Sequence, residues 1–197
     1  MNRLNHMSPL LAAGVILIVA TAFATEPVRA AEGDAARVAR GKYLVTTAAC
    51  NDCHTPWHLG PSGPEPDMSR MLSGHPESMV ITQPAPLSSS GPWTLAATPT
   101  NTAWSGPWGV SFTANLTPDA QTGLGKWTLT TFTQAIRTGR HLGRGRQILP
   151  PMPFQMYRNF TDEDLAAIFA YLRSIPPIRN RVAEPLPPVA APAVAQK

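Results

Sequence analysis

The chain has 197 residues, a formal charge of +4, 22 prolines and only 14% charged side chains. Ordinary domains carry about 25% charged residues and about 5% proline, so much of this chain is expected to be ordered loop rather than long helix. Two cysteines cannot build a disulfide framework, one apolar run cannot make a multi-span membrane protein, and no heptad or fixed-period repeat is present, which excludes stapled scaffolds, polytopic proteins and repeat arrays.

The first element in chain order is a leader. Arg3 precedes an apolar run from Pro9 to Ala24 that ends in Ala22-Phe23-Ala24, and a second small-residue exit follows at Val28-Arg29-Ala30. The run is shorter than the ~20 residues of a settled bilayer span. Its charge, core and exit match a secretory signal peptide over residues 1–30. Cleavage after Ala24, cleavage after Ala30 and retention as an N-terminal anchor are the alternatives. Each sends the remainder out of the cytoplasm, to the periplasm, either free or tethered to the membrane.

Three helices are read from the rest. Asp34 caps the first, which carries Val38, Gly41 and Val45 on one stripe with Leu44 beside it, towards Ala48. A mid-helix glycine costs stability relative to alanine, so Gly41 points to a close crossing with another helix. Residues 56–127 follow, dense in Pro, Gly, Ser and Thr with Trp57, Trp93, Trp104, Trp108 and Trp127 interspersed. That many indoles describe an ordered, loop-rich insertion packed against a core or ligand rather than a disordered linker. The second helix starts at Thr128, turns Leu129, Phe132 and Ile136 inward, and ends at Gly139. In the third, Thr161 is the cap, Asp162, Glu163 and Asp164 fill the first turn, and Leu165, Ile168, Phe169 and Leu172 form the buried stripe before Pro176-Pro177 stops it. The Pro- and Ala-rich residues 183–197 read as an extended surface tail.

The chemistry sits in Cys50-Asn51-Asp52-Cys53-His54. A Cys-x-x-Cys-His run is the attachment site of c-type haem. Two thiols three positions apart share one side of a helical turn, where each can form a thioether with one haem vinyl group, and the next residue offers its imidazole to the iron. A zinc site would need a second pair of ligands, a thioredoxin-like pair would need a βαβ context, and a disulfide over this span is strained and leaves His54 unexplained. His54 is therefore expected to present its ε nitrogen to iron while its δ nitrogen bonds a backbone carbonyl, with the Gly60-Pro61 and Gly63-Pro64 stretches as candidates. His6 leaves with the leader, and His58, His75 and His141 read as loop histidines.

The other iron face needs a ligand or an open site. Met152 lies in Pro150-Pro151-Met152-Pro153, where prolines restrict the backbone and leave a soft thioether little entropy to lose on ligation. Met156 is the runner-up, and Met68, Met71 and Met79 read as packing residues. Charge is patterned too. No acidic residue lies between Asp119 and Asp162, whereas Lys126, Arg137, Arg140, Arg144, Arg146 and Arg158 are all present. Arg137, Arg140, Arg144 and Arg146 are candidates either for neutralising haem propionates or for steering an acidic redox partner. Nucleic acid is not an expected target of an exported protein of this kind.

Together with Gly41-Lys42-Tyr43-Leu44, the cysteine motif and the proline-framed methionine before a capped last helix resemble a class I cytochrome c. Ala114-Asn115-Leu116-Thr117-Pro118-Asp119, Thr122-Gly123-Leu124-Gly125-Lys126-Trp127, Arg137-Thr138-Gly139 and Asp162-x-Asp164-Leu165 through Tyr171-Leu172 are similar to the haem domains of bacterial dehydrogenase cytochrome subunits. The resemblance spans about residues 35–182. It implies an all-α cytochrome c fold over 31–182, with first and last helices crossing at Gly41 against Phe169 or Tyr171. It also implies thioethers at Cys50 and Cys53, axial His54 and Met152, and outer-sphere electron transfer to redox proteins such as a dehydrogenase or a terminal oxidase, without catalysis by this chain. Those subunits often repeat the haem motif, whereas this chain has it once, which favours a single-haem shuttle or accessory subunit. The alternative is a haem enzyme or gas sensor with a labile Met152.

Overall fold

The structure, a computed structural model, describes residues 26–87 and 91–188. The apolar run and the exit at Ala24 lie outside the described residues, as does the end of the tail from 189 to 197. The chain divides into two compact units, Met1–Asp34 and Ala35–Lys197. Of the first, only the opening turns of a helix are described.

That helix, α1, spans Glu26–Thr47. Asp34 therefore lies inside it rather than capping it. The run is rich in alanine, the best helix former, and Pro27 sits in the first turn, where its missing N–H costs nothing. No helix among the described residues is long and apolar enough to cross a membrane. After α1 the chain turns through Ala49, whose φ of +57° is left-handed, into the short helix α2, Cys50–His54.

The expected all-α fold is not what forms. Between the Cys-x-x-Cys-His run and the second long helix lie two antiparallel sheets, so the architecture is mixed α and β. Strands β1 (Trp57–Gly60) and β2 (Gly63–Pro66) make a hairpin with Trp57 opposite Pro66. Strands β3 (Ala96–Ala97), β4 (Ala103–Gly106) and β5 (Gly109–Phe112) make a second sheet in that order. Pro107-Trp108 forms the two-residue turn of the β4–β5 hairpin, and Gly109, at φ +95°, supplies a left-handed conformation. The strands are short and bounded by Gly and Pro, and their backbone groups pair with each other because no helix is available to them. Trp104 is buried, and Trp57, Trp108 and Trp127 are half-buried. Trp93 departs from the expectation, with 76% of its surface exposed.

Helix α3 (Leu129–Thr138) starts with Thr128 accepting from Thr131 N and ends at Gly139 in the left-handed conformation. A short helix α4 (Phe154–Tyr157) leads to α5 (Asp162–Ser174), capped by Thr161. Leu129 is exposed rather than inward, while Phe132 and Ala135 are buried. The core gathers Leu44, Val45, Leu72, Phe132, Leu165, Ile168, Tyr171 and Leu172, with Phe169 half-buried against it and its ring 5.3 Å from that of Phe132. Helices α1 and α5 meet at Gly41, where an added Cβ would lie 1.9 Å from Ala167 O and 2.8 Å from Tyr171 Cβ. Tyr171 is one of the two expected partners; Ala167 takes the place of Phe169. Beyond α5 the chain returns to the sheet, with Val110 and Leu186 exchanging two backbone hydrogen bonds of 3.0 Å.

Candidate functional site

Cys50, Cys53 and His54 line one cavity of about 340 Å³. They reach it because α2 is a single turn that puts the three side chains close together. Trp57 Nε1 donates to Asp52 O at 2.9 Å, and Asn101 Nδ2 donates to the same carbonyl at 2.8 Å, so the insertion fixes α2 from outside. Thr55, fully buried, donates to Asn51 Oδ1 and accepts from Leu72 N, both at 2.9 Å.

His54 is buried, and its Nδ1 lies 2.8 Å from Ala114 O. A carbonyl only accepts, so Nδ1 carries the proton and Nε2 keeps its lone pair. Among the described residues Nε2 has no hydrogen-bond partner. The acceptor is therefore not in Gly60-Pro61 or Gly63-Pro64, which belong to the β1–β2 hairpin. It lies 60 residues downstream of His54 on the chain leaving β5. Burial lowers the affinity of the ring for a second proton, and the Ala114 carbonyl opposes this only in part.

Both cysteines are free. Burial above all, with the neighbouring Cys53 and Asp52, pushes the Cys50 thiol up to about 11, against a smaller pull from a backbone hydrogen bond. Burial and Asp52 raise Cys53 as well. Both therefore favour the protonated thiol at neutral pH. No group of three His, Cys, Asp or Glu side chains among the described residues comes together to hold a metal ion.

The rest of the wall is mainly apolar and comes from Val45, Leu124, Phe132, Leu165, Ile168 and Leu172, with Met152 among the lining residues. The loop carrying Met152 is held at two places. The Ser111 hydroxyl donates to Pro150 O, and the Tyr157 hydroxyl donates to Ala48 O beside the cysteine motif. Burial first, then Cys50, Cys53 and Asp52, push the Tyr157 hydroxyl up to about 12, so it remains a donor. Met156, the runner-up, does not line the cavity and is 72% exposed, while the neighbouring rings of Tyr157 and Phe160 stack on each other. Met68 is also exposed, Met71 packs on the core, and Met79 accepts from Thr100 Oγ1.

The basic residues separate by role. Arg137 ties α3 to the start of α5, donating to Arg158 O, to Phe160 O and, at 2.6 Å, to Asp162 Oδ1. Arg140 donates to Gly145 O and is otherwise exposed, as is Arg144. Arg146 lines the cavity and pairs with Glu184 at 2.9 Å. Arg181 and Glu184 line the cavity as well; sequence reasoning missed both, Glu184 because it lies in the segment read as tail and Arg181 because it stands just before it, outside every motif. His141 also lines it, edge-on to Trp127 at 5.4 Å. His58 is exposed beside Glu65, whereas His75, also in a loop, is fully buried. Its ring bonds Thr102 Oγ1 and Met79 O, both at 2.9 Å.

The residues present fit haem c. Two thiols, an imidazole with a free Nε2 lone pair and a thioether share one apolar cavity, which matches the attachment and ligation chemistry of that group.

No protein-family profile matches the chain. It is similar to a nicotinate dehydrogenase subunit of Pseudomonas putida, 40% identical over 75 residues, which is 38% of this chain and 6% of that protein. It is similar to the fructose dehydrogenase cytochrome subunit of Gluconobacter japonicus, 28% identical over 160 residues, 80% of this chain and 26% of that one. A third relative is the gluconate 2-dehydrogenase cytochrome c subunit of Pantoea cypripedii, 37% identical over 65 residues, 33% of this chain and 14% of the relative. The chain thus spans less than a third of the length of each of these relatives. Several of its relatives are, by name, cytochrome subunits of dehydrogenases, among them those of fructose, quinone-dependent alcohol and gluconate 2-dehydrogenases.

Proposed function

We propose that this protein is an exported, single-haem cytochrome c that carries single electrons between redox proteins. Cys50 and Cys53 would hold the haem covalently, and His54 and Met152 would ligate its iron. The observation that carries this reading is the convergence of these four side chains on one apolar cavity, with His54 Nδ1 already engaged by Ala114 O. The one Cys-x-x-Cys-His run in the sequence supports a single haem. When bound, haem c supplies a one-electron ferric/ferrous couple.

The chain's own part is to hold and tune. Apolar walls keep water from the site and disfavour the more highly charged ferric state, and the soft thioether of Met152 acts in the same direction. With His54 and Met152 both holding the iron, no coordination site would be left for a substrate. The donor or acceptor is the catalytic subunit of a dehydrogenase, as the relatives' names suggest, or a terminal oxidase. Exposed Arg140 and Arg144 would steer an acidic face of that partner. The apolar run before Ala24 supports the periplasm as the place of action, with or without a membrane tether.

Covalent attachment is the test. Produced with its leader in a host that matures c-type cytochromes, the protein should keep its haem through denaturing electrophoresis and acid-acetone extraction. Freely extracted haem would overturn the reading. Slow binding of carbon monoxide or cyanide to the matured protein is expected of a carrier, and rapid binding would favour an enzyme or gas sensor with a labile Met152.

A further inference from the structure

His54 is gripped at two points. Its backbone carbonyl accepts from Gly74 N at 2.7 Å, and its Nδ1 donates to Ala114 O at 2.8 Å. The two gripping segments also touch each other. A Cβ on Gly74, whose φ is +78°, would fall 2.5 Å from Thr113 O and 2.6 Å from Ala114 C, and His75 N donates to Thr113 O at 3.0 Å. The segments around Gly74 and Ala114 therefore act as one clamp.

Two buried asparagines brace that clamp. Asn180 is 4% exposed and follows α5, outside every motif recognised in the sequence. Its Nδ2 donates to Ser73 O at 2.7 Å and His75 O at 2.8 Å, the carbonyls on either side of Gly74, and its Oδ1 accepts from Glu77 N at 2.9 Å. Asn115, 3% exposed, directly follows Ala114. Its Nδ2 donates to Ile178 O at 2.8 Å and also reaches Asn180 O at 3.3 Å, while its Oδ1 accepts from Thr117 N and Thr117 Oγ1. Thr122 Oγ1 accepts from both Asn180 N, at 3.0 Å, and Asn115 Nδ2, at 3.2 Å. The chain after α5 is thus bonded to each half of the clamp.

We propose that Asn180 is a positioning residue for the axial imidazole: by bracing Gly74 and Asn115 together, it sets the length and direction of the His54 Nδ1–Ala114 O hydrogen bond and thereby the donor strength of Nε2. The proposal rests on the reading that His54 ligates haem iron. An N–H bonded to a carbonyl makes a histidine a more basic ligand, and a more basic ligand favours ferric iron. Slackening the clamp therefore raises the reduction potential.

The test uses the matured protein with Asn180→Ala, and with Asn180→Gln, which restores an amide. Leu44→Ala serves as a control because Leu44 is buried in the core but does not line the cavity. All are checked first for covalent haem on denaturing gels; its absence from the parent would defeat the haem reading itself. Given covalent haem, Asn180→Ala should raise the reduction potential, shift the His54 ring-proton resonances, and speed amide exchange at Gly74 by tenfold or more. Asn180→Gln should move all three back towards the parent. Leu44→Ala should lower the melting temperature and leave the potential and ring resonances in place. An unchanged potential in Asn180→Ala, or an equal shift in Leu44→Ala, overturns the proposal. Should Asn180→Ala fail to mature, Thr122→Ala replaces it under the same criteria.

Discussion

Replacing Gly41 with alanine sets two effects of opposite sign against each other. Helix propensity favours alanine over glycine by about 1 kcal/mol in a helix interior. Against this, the new Cβ would lie 1.9 Å from Ala167 O, where ordinary contacts begin at roughly 3.4 Å. Ala167 O is backbone of α5 and cannot swing aside, so the crossing must open by ~1.5 Å. Opening it loosens Leu44 and Val45 against the core that includes Leu165 and Leu172. Overpacking of this kind costs typically 1–3 kcal/mol and should reach at least the upper end here, because the obstacle is main chain. The net expectation is a loss of about 2 kcal/mol, or roughly 6 °C in melting temperature for a domain of this size. Gly33, also in α1, has nothing within 4 Å of its would-be Cβ. Gly33→Ala should therefore show only the propensity gain of up to ~1 kcal/mol. Urea unfolding of both variants, followed by tryptophan fluorescence, checks the pair. Equal stabilisation of the two would refute the close crossing.

Further expectations address the site and its surroundings. Met152→Ala should remove the weak red charge-transfer band of sulfur-ligated ferric haem, lower the reduction potential and open the iron to carbon monoxide. Met156→Ala should leave all three in place and change stability by no more than ~0.5 kcal/mol, since that side chain is exposed. Loss of the band in Met156→Ala alone would reverse the assignment. Arg140→Glu with Arg144→Glu should slow electron exchange with the native partner most at low salt, with an unchanged absorbance spectrum; equal rates would make both plain surface residues. Buried His75 is held neutral, because burial lowers its proton affinity more than the Met79 carbonyl raises it. Its contribution is present above the ordinary imidazole range and is lost as pH falls below it, when the unfolded chain takes up a proton that the folded one resists. Urea midpoints at about pH 7.5 and pH 5.5 should differ less in His75→Gln than in the parent, and an equal difference would clear His75 of that role.

Features that lie within a few consecutive residues were legible in the sequence. The haem motif needs only one helical turn to bring Cys50, Cys53 and His54 together, and the structure places them on one cavity wall. Thr128 and Thr161 each cap their helix through a bond to the residue three positions on, a relation written into adjacent chain. Gly41 revealed a crossing because only a close neighbour makes an absent side chain worth its cost in a helix.

The β-structure was not read from the sequence, because the density of proline and glycine in residues 56–127 suggested loop instead. Strand pairing depends on which segment arrives alongside, and two- or four-residue strands carry too little periodicity to declare themselves. The same holds for the carbonyl that orients His54, the engagement of Arg137 with the start of α5, and the bracing by Asn180. Each joins residues that are remote in sequence through groups that every residue carries, or through ordinary polar side chains. A backbone carbonyl such as that of Ala114 has no sequence signature at all. The sequence by itself singled out Cys50, Cys53, His54 and Met152 as the side chains proposed to hold haem; only the tertiary structure decided which carbonyl points the imidazole of His54, because a hydrogen bond depends on distance and direction in space and not on spacing along the chain.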